Sequence, residues 1–338
     1  MIRVGMIGVG KMGISHFAVL GAHPDVDLVA VCDSAGYVTS TLQKQTGVQA
    51  YKDHKRMLRQ AELDAVFIAT PTASHYQLAR DCIEAGLHLF VEKPLCLDPQ
   101  QSFELAALAE ERNLRCQVGY HNRYVGTFRE LHRLVQGGVL GTIHRVEGLA
   151  LGQVVIRPKK GRTWRTKKSE GGGCLHDYAC HVVDLMNFIM GPPEAVKSAQ
   201  LQSIYSENTE DAVYALFEYA SGATGSLSAN WSDTTVRKMS TSITVFGTKG
   251  KAIADRQDLR VHLSAEEGFE SYEKGWNVRY TTELQSPVWF YLRGEEYSSQ
   301  IEGFVESIQS EGPAVNTFET AAQTDKVIAE IASVGGQS

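Results

Sequence analysis

From residue 1 to about 120, short runs of apolar, β-branched residues alternate with amphipathic stretches that end near glycine. That alternation is the pattern of βαβ units around a parallel sheet. It predicts strands at Ile2–Ile7, Leu28–Val31, Ala65–Ile68, Leu87–Val91 and Leu114–Val118, and helices at about 11–22, 35–46, 73–85 and 99–112. Pro99 suits the first turn of the last helix, where its missing N–H would be unpaired anyway. After Gly119 the period changes. A helix over about 124–136 and a turn at Gly137-Gly138 lead into alternating strands at about 142–154, 196–206, 211–220, 222–231 and 239–246, an antiparallel pattern. Ser221-Gly222 is placed to close a tight hairpin. Helices at about 296–310 and 317–334 end the chain. The expected fold is α/β, with a doubly wound domain over 1–120 and a second domain over 121–338 that carries an antiparallel sheet. The closing helices are left free to pack back on the first domain.

Composition narrows the function. A chain of 338 residues, 43% hydrophobic and 21% charged, is long enough for two ordinary globular cores. A net charge of -6 gives no chain-wide basic field, so a nucleic-acid partner is not expected. The chain enters a strand at once, leaving no room for a signal peptide, and no apolar run reaches the roughly 18 residues a membrane helix needs. Six scattered cysteines (Cys32, Cys82, Cys96, Cys116, Cys174, Cys180) without such a signal imply reduced thiols and a cytoplasmic location.

Gly8-Val9-Gly10-Lys11-Met12-Gly13 follows the first strand immediately and opens a helix, where glycines let backbone approach a pyrophosphate. The motif alone also describes any tight strand-to-helix turn. Its context is more specific, because the next strand ends at Asp33, an acid 20 residues past Gly13. A carboxylate there accepts from the ribose hydroxyls of NAD and repels the 2′-phosphate of NADP; Ser34, Ala35 and Gly36 offer that phosphate nothing. Thr70 and Pro71 end the strand beside this turn, with His75 in the next helix, either touching the cofactor or simply a surface histidine near a cap.

Two further stretches carry chemistry. Glu92-Lys93-Pro94 ends a strand on the same sheet edge as the glycine turn, so the Lys93 ammonium can stabilise negative charge developing on a substrate oxygen; the same position would also suit an ion-paired lysine at a loop. In Gly171-Gly172-Gly173-Cys174-Leu175-His176-Asp177-Tyr178-Ala179-Cys180-His181, a helix starting near Cys174 puts Asp177 and His181 on one face. An imidazole that titrates near neutrality is a natural acceptor of a hydroxyl proton; the same pair would also suit a plain surface contact. Cys174, His176, Cys180 and His181 do not converge on one side of a helix, and no metal site is expected. Seven basic residues between Arg157 and Lys168 surround Trp164; they read as a solvated loop or, through Arg162 and Arg165, as a site for an anionic substrate.

In combination these motifs resemble the glucose-fructose oxidoreductase, inositol dehydrogenase and rhizopine-catabolism (Gfo/Idh/MocA) family over nearly the full length. The resemblance rests on the glycine turn with Asp33, Ala69-Thr70-Pro71-x-x-x-His75, Glu92-Lys93-Pro94 and Asp177-x-x-x-His181, with Trp164-Arg165 and Arg123-Tyr124 also at family positions. It implies a Rossmann domain binding NAD along Gly8, Gly10, Lys11, Met12, Gly13, Asp33, Thr70, Pro71, His75, Glu92 and Lys93, followed by an α/β domain with an open-faced, mainly antiparallel sheet. It further implies a catalytic group of Lys93, Asp177 and His181, with His181 carrying the proton. Substrate contacts are then expected from Lys93, His121, Arg123, Tyr124, Trp164, Arg165, Asp177 and His181, and a homodimer or homotetramer through the C-terminal sheet. Ala179 stands where the family usually has glycine and His176 where it usually has an aliphatic residue. The expected activity is hydride transfer between nicotinamide and a secondary hydroxyl or ketone of a sugar, cyclitol or sugar derivative. The alternatives are an NADP-dependent keto-sugar or small-carbonyl reductase and a dinucleotide-binding regulator without turnover.

Overall fold

A computed structural model describes residues 1–155, 164–264 and 268–336. The chain divides into two compact units, Met1–His121 with Pro287–Ala322 and Asn122–Ser286 with Gln323–Ser338.

The first unit is built on six strands, β1 (Ile2–Ile7), β2 (Val26–Cys32), β3 (Gln49–Tyr51), β4 (Ala65–Ile68), β5 (His88–Val91) and β6 (Cys116–Val118), in the order β3-β2-β1-β4-β5-β6. Every pairing is parallel. All of β4 is buried, as expected of an apolar run covered on both faces. The strand order reverses between β1 and β4, and at such a switch point the strands' carboxyl ends leave room for a ligand. Gly8, Asp33, Ala69, Glu92 and Gly119 each follow a strand directly and so share that edge. Strand β3 and the helix His54–Gln60, capped by the Asp53 carboxylate on the Arg56 N–H at 2.8 Å, are additions to the sequence reading. Three residues are too few to show an alternation. In the core, Phe67 stacks on Phe90 with centroids 4.6 Å apart, and Phe304 of the helix Glu295–Gln309 meets both edge-on at 5.4 and 6.1 Å. Removing a ring from such a cluster costs about 3–5 kcal/mol, so this late helix is integral to the first unit.

The second unit carries an eight-stranded sheet: β7 (Ile143–Leu151), β8 (Ala195–Gln202), β9 (Ala212–Glu218), β10 (Thr224–Asn230), β11 (Ser240–Gly247), β12 (Gly250–Asp255), β13 (Asp258–Leu263) and β14 (Gly275–Tyr280). Their order is β14-β13-β12-β11-β7-β10-β9-β8. All neighbours are antiparallel except β7 and β10, which run parallel at the centre. The long connection between them, which includes a helix, permits that crossing. Ser221-Gly222 does close the β9–β10 hairpin, with Tyr219 donating to the Ala223 carbonyl at 3.0 Å and Gly222 at φ 80°. Strands β12 to β14 extend the sheet beyond the sequence reading. Leu259, Val261 and Leu263 alternate cleanly in β13, but β12 is rich in glycine and alanine, and β14 turns Trp276, Val278 and Tyr280 outward.

The helices Gly126–Gln136 and Cys180–Met190 cover one face of this sheet. The second helix comes in very close at β7. A Cβ on Gly148 would lie 2.3 Å from Val182 Cγ1 and 2.8 Å from Met186 Sδ, and one on Gly152 would meet the Tyr178 ring. Glycine at these two positions seats the helix that carries His181.

Candidate active site

In the first unit, the glycine turn is closed on the protein side and open on the other. A Cβ on Gly13 would lie 2.0 Å from the Gly8 carbonyl oxygen, and one on Gly8, already at φ 91°, would lie 2.6 Å from the Ala69 oxygen. A Cβ on Gly10 would meet nothing within 4 Å. Gly10, which has no side chain to cap with, stands at the N-cap of the helix Lys11–Gly21, and a pyrophosphate is an acceptor of the kind that such first amides take. Asp33 is fixed beside the turn: its Oδ2 accepts the Val9 N–H at 2.8 Å and its Oδ1 the Ala35 N–H at 2.7 Å. A carboxylate has about four acceptor positions, so both oxygens can still accept from ribose hydroxyls. The residues fit NAD: the helix amides would hold its phosphates and Asp33 its adenosine ribose.

His75 departs from expectation. Its side chain is wholly buried, with Nδ1 facing the Pro94 and Leu95 carbonyls at 3.0 and 3.2 Å and Nε2 facing the Thr70 carbonyl at 3.0 Å. The ring ties the loop after β4 to the loop after β5 and presents no nitrogen to a ligand. Burial lowers its pKa, outweighing the carbonyls that would favour the charged form. Thr70 is also tied inward, its hydroxyl accepting from Ser74 at 2.7 Å, while Lys11 and Pro71 are exposed. Glu92 and Lys93 follow β5, with Glu92 Oε2 accepting the Lys93 N–H at 3.3 Å. His121 is buried and stacked on Tyr297, centroids 4.7 Å apart.

In the second unit, the stretch after the glycine run begins as a π-helical turn, Leu175–Ala179, and becomes α-helical from Cys180 to Met190. The expectation of an α-helix from Cys174 is corrected to that extent; such wide turns often mark functional sites. Asp177 and His181 are one turn apart and both buried. The Arg165 Nε donates to Asp177 Oδ2 at 2.7 Å, and the guanidinium lies 4.7 Å over the Trp164 ring. Arg165, expected at the substrate, is thus paired with Asp177. Of the remaining basic segment, Arg157, Lys159, Lys160 and Arg162 lie outside the described residues, and Lys167 pairs with Glu170 at 2.6 Å.

The glycine run serves packing. A Cβ on Gly172 would lie 2.4 Å from the Arg165 carbonyl oxygen, and one on Gly173, at φ 110°, would lie 2.1 Å from Glu210 Oε1. Glu210, absent from the sequence reading, accepts the Leu175 N–H at 2.9 Å and so caps the helix start; burial raises its pKa. No local motif marks it, because its partner is 35 positions away. Arg123 is likewise reassigned. It is 3% exposed and forms a two-pronged pair with Asp184, Nε to Oδ2 at 2.9 Å and Nη2 to Oδ1 at 2.6 Å, one turn past His181. Its charge anchors the helix, and the adjacent Tyr124 is buried. Among the described residues no group of three or more His, Cys, Asp or Glu could hold a metal ion.

A parallel sheet in Rossmann order, a glycine turn open at Gly10 and an acid at the end of β2 define a dinucleotide-binding oxidoreductase. Residues 2–120 match the oxidoreductase family with NAD-binding Rossmann fold, and residues 128–253 match the GFO/IDH/MocA C-terminal domain. The chain belongs to the Gfo/Idh/MocA family. It is 30% identical over 211 residues to D-glucoside 3-dehydrogenase of Escherichia coli, a match covering 62% of this chain and 59% of that one. It is 26% identical to myo-inositol 2-dehydrogenase of Thermotoga maritima, covering 93% and 91% of the two chains. Levoglucosan dehydrogenase in complex with NADH shares the fold, with a TM-score of 0.88 at 21% identity over 99% of this chain and 97% of that one.

Proposed function

We propose that the protein is an NAD-dependent dehydrogenase that oxidises a secondary hydroxyl of a sugar, cyclitol or sugar derivative, or reduces the matching ketone. The observation that carries this reading is the buried Asp177–His181 pair, one turn apart at the start of a helix seated through Gly148, with Asp177 held at 2.7 Å by Arg165. His181 takes up the hydroxyl proton, Asp177 orients the substrate or the imidazole, and Lys93 stabilises negative charge on the oxygen. NAD, when bound, supplies the hydride acceptor. Relatives named for glucoside, myo-inositol and levoglucosan support a carbohydrate-like substrate. Arg165 and Lys167 each have a carboxylate partner of their own, which favours an uncharged one. The cofactor role falls to residues 1–120 and the substrate role to residues 121–338.

The sheet of the second unit supports a homo-oligomer. Its strand pairings put Tyr214 and Leu216 at one end of the uncovered face and Trp276, Val278 and Tyr280 at the other, all exposed, with Ser226, Ser228, Ser242 and Thr244 between them. A second copy laid on this face would bury those side chains. Six free, buried cysteines suit the reducing cytoplasm; no helix among the described residues is long and apolar enough to cross a membrane.

The test is absorbance at 340 nm with NAD, or NADH for the reverse, and a panel of sugars, inositols and keto-sugars. Turnover with a neutral member is expected, and His181→Ala should lower kcat by about 10²-fold while NADH still binds. Silence in both directions across the panel, with NADH bound, would refute the reading.

A further inference from the structure

The proposed chemistry gives no role to His16, yet the structure places it with care. It sits on the buried side of the helix Lys11–Gly21, whose amino end carries the glycine turn, and is 1% exposed. Its ring packs edge-on to Phe90 of β5 at 5.2 Å and tilted to Phe67 of β4 at 6.0 Å. Its Nε2 lies 2.6 Å from Glu92 Oε1. The other oxygen accepts the Lys93 N–H, and the carboxylate lies flat over Gly119, where a Cβ would stand 3.3 Å from its carbon and both oxygens.

We propose that His16 is a positioning residue for Lys93, acting through Glu92: the imidazole holds the Glu92 carboxylate in place at the end of β5, and that carboxylate sets the environment of the neighbouring ammonium. This inference rests on the reading of Lys93 as the cation of the site. Its physical basis is the balance at Glu92. Burial pushes this carboxyl up, and the His16 hydrogen bond, followed by the charges of His16, Lys93 and His121, brings it below the usual range. Tyr297, stacked on His121 and covered by Arg293 at 5.3 Å, also feels the Glu92 charge. Without the His16 bond, the largest opposing contribution is gone and burial returns the carboxyl towards its neutral form. Lys93 then loses an adjacent negative charge and more of its amine is unprotonated at a given pH. The helix that offers its first amides to the pyrophosphate thus also holds the residue behind Lys93.

Competitive acetylation of the full-length protein at pH 8, read for Lys93 by mass spectrometry against the other lysines, tests this without a substrate. Failure of the inference and failure of the dehydrogenase reading are therefore separable. Glu92→Gln is expected to speed Lys93 labelling at least threefold, and His16→Leu to do the same. The double variant should label no faster than Glu92→Gln alone, because the two residues act in series. His16→Gln, which keeps a donor, should stay within twofold of the native rate. NADH affinity by fluorescence should change less than threefold in His16→Leu. If His16→Leu does not fold, His16→Asn, too short to reach the carboxylate, takes its place. Additive effects in the double variant, unchanged Lys93 labelling in either single variant, or a loss confined to NADH affinity would overturn the proposal.

Discussion

Gly10 and Gly13 belong to one motif, but the structure separates their roles, and replacing each by alanine should produce opposite phenotypes. At Gly13 the new Cβ would lie 2.0 Å from the Gly8 carbonyl oxygen, a backbone atom that cannot swing aside. Relief requires moving the turn by more than an ångström; overpacking of this kind costs about 1–3 kcal/mol and sometimes more. At about 2–4 °C per kcal/mol for a domain of this size, the melting temperature should fall by several degrees. At Gly10 the backbone is at φ -67° and ψ -167°, open to alanine, and the Cβ meets nothing within 4 Å. The gain of about 0.4–1 kcal/mol from a stiffer unfolded chain roughly cancels alanine's poorer N-cap preference. Stability should therefore hold while the methyl occupies the space where the phosphates approach the helix amides. A tenfold or greater rise in the NADH dissociation constant, about 1.4 kcal/mol, is expected. Differential scanning calorimetry and NADH fluorescence titration on both variants check the contrast. Native NADH affinity in Gly10→Ala would refute the assignment of this turn to the pyrophosphate.

Asp33→Ala should weaken NADH binding by about tenfold, the scale of a lost hydrogen bond to a charged acceptor, and move the NADPH-to-NADH preference towards NADPH; paired fluorescence titrations decide, and an unmoved ratio would remove Asp33 as the discriminator. Arg123→Ala leaves the Asp184 carboxylate buried without its cation, and urea denaturation should show a loss of about 3–5 kcal/mol, whereas a surface pair would lose under 1. His75 is neutral in the folded chain because burial lowers its pKa, while the unfolded chain binds its proton near pH 6.5. Its contribution is thus complete above about pH 6.5 and is lost as the pH falls below it. Urea midpoints at pH 7.5 and 5.5 should fall less steeply in His75→Gln than in the native protein, with His88 and His132, shifted the same way, keeping part of the slope.

The sequence by itself determined the parts whose causes are local. Alternation and 3.6-residue periodicity placed most of the Rossmann strands and helices, because each segment shows its buried face in its own pattern. The glycine turn, Asp33, Lys93 and the Asp177–His181 spacing were legible because a tight turn, a strand end or one helical turn fixes them within a few residues. Long-range partners were decided only in the tertiary structure. Arg123 reads as a substrate contact until Asp184, 61 positions on, claims it, and His75 reads as a ligand until three carbonyls from two loops enclose it. Glu210 had no local signal at all. His16 did have one, a polar residue on the apolar side of a helix, but its meaning required Glu92, 76 positions away. A buried polar group must find a partner, and the sequence around it can show that it is buried without showing which distant segment supplies that partner.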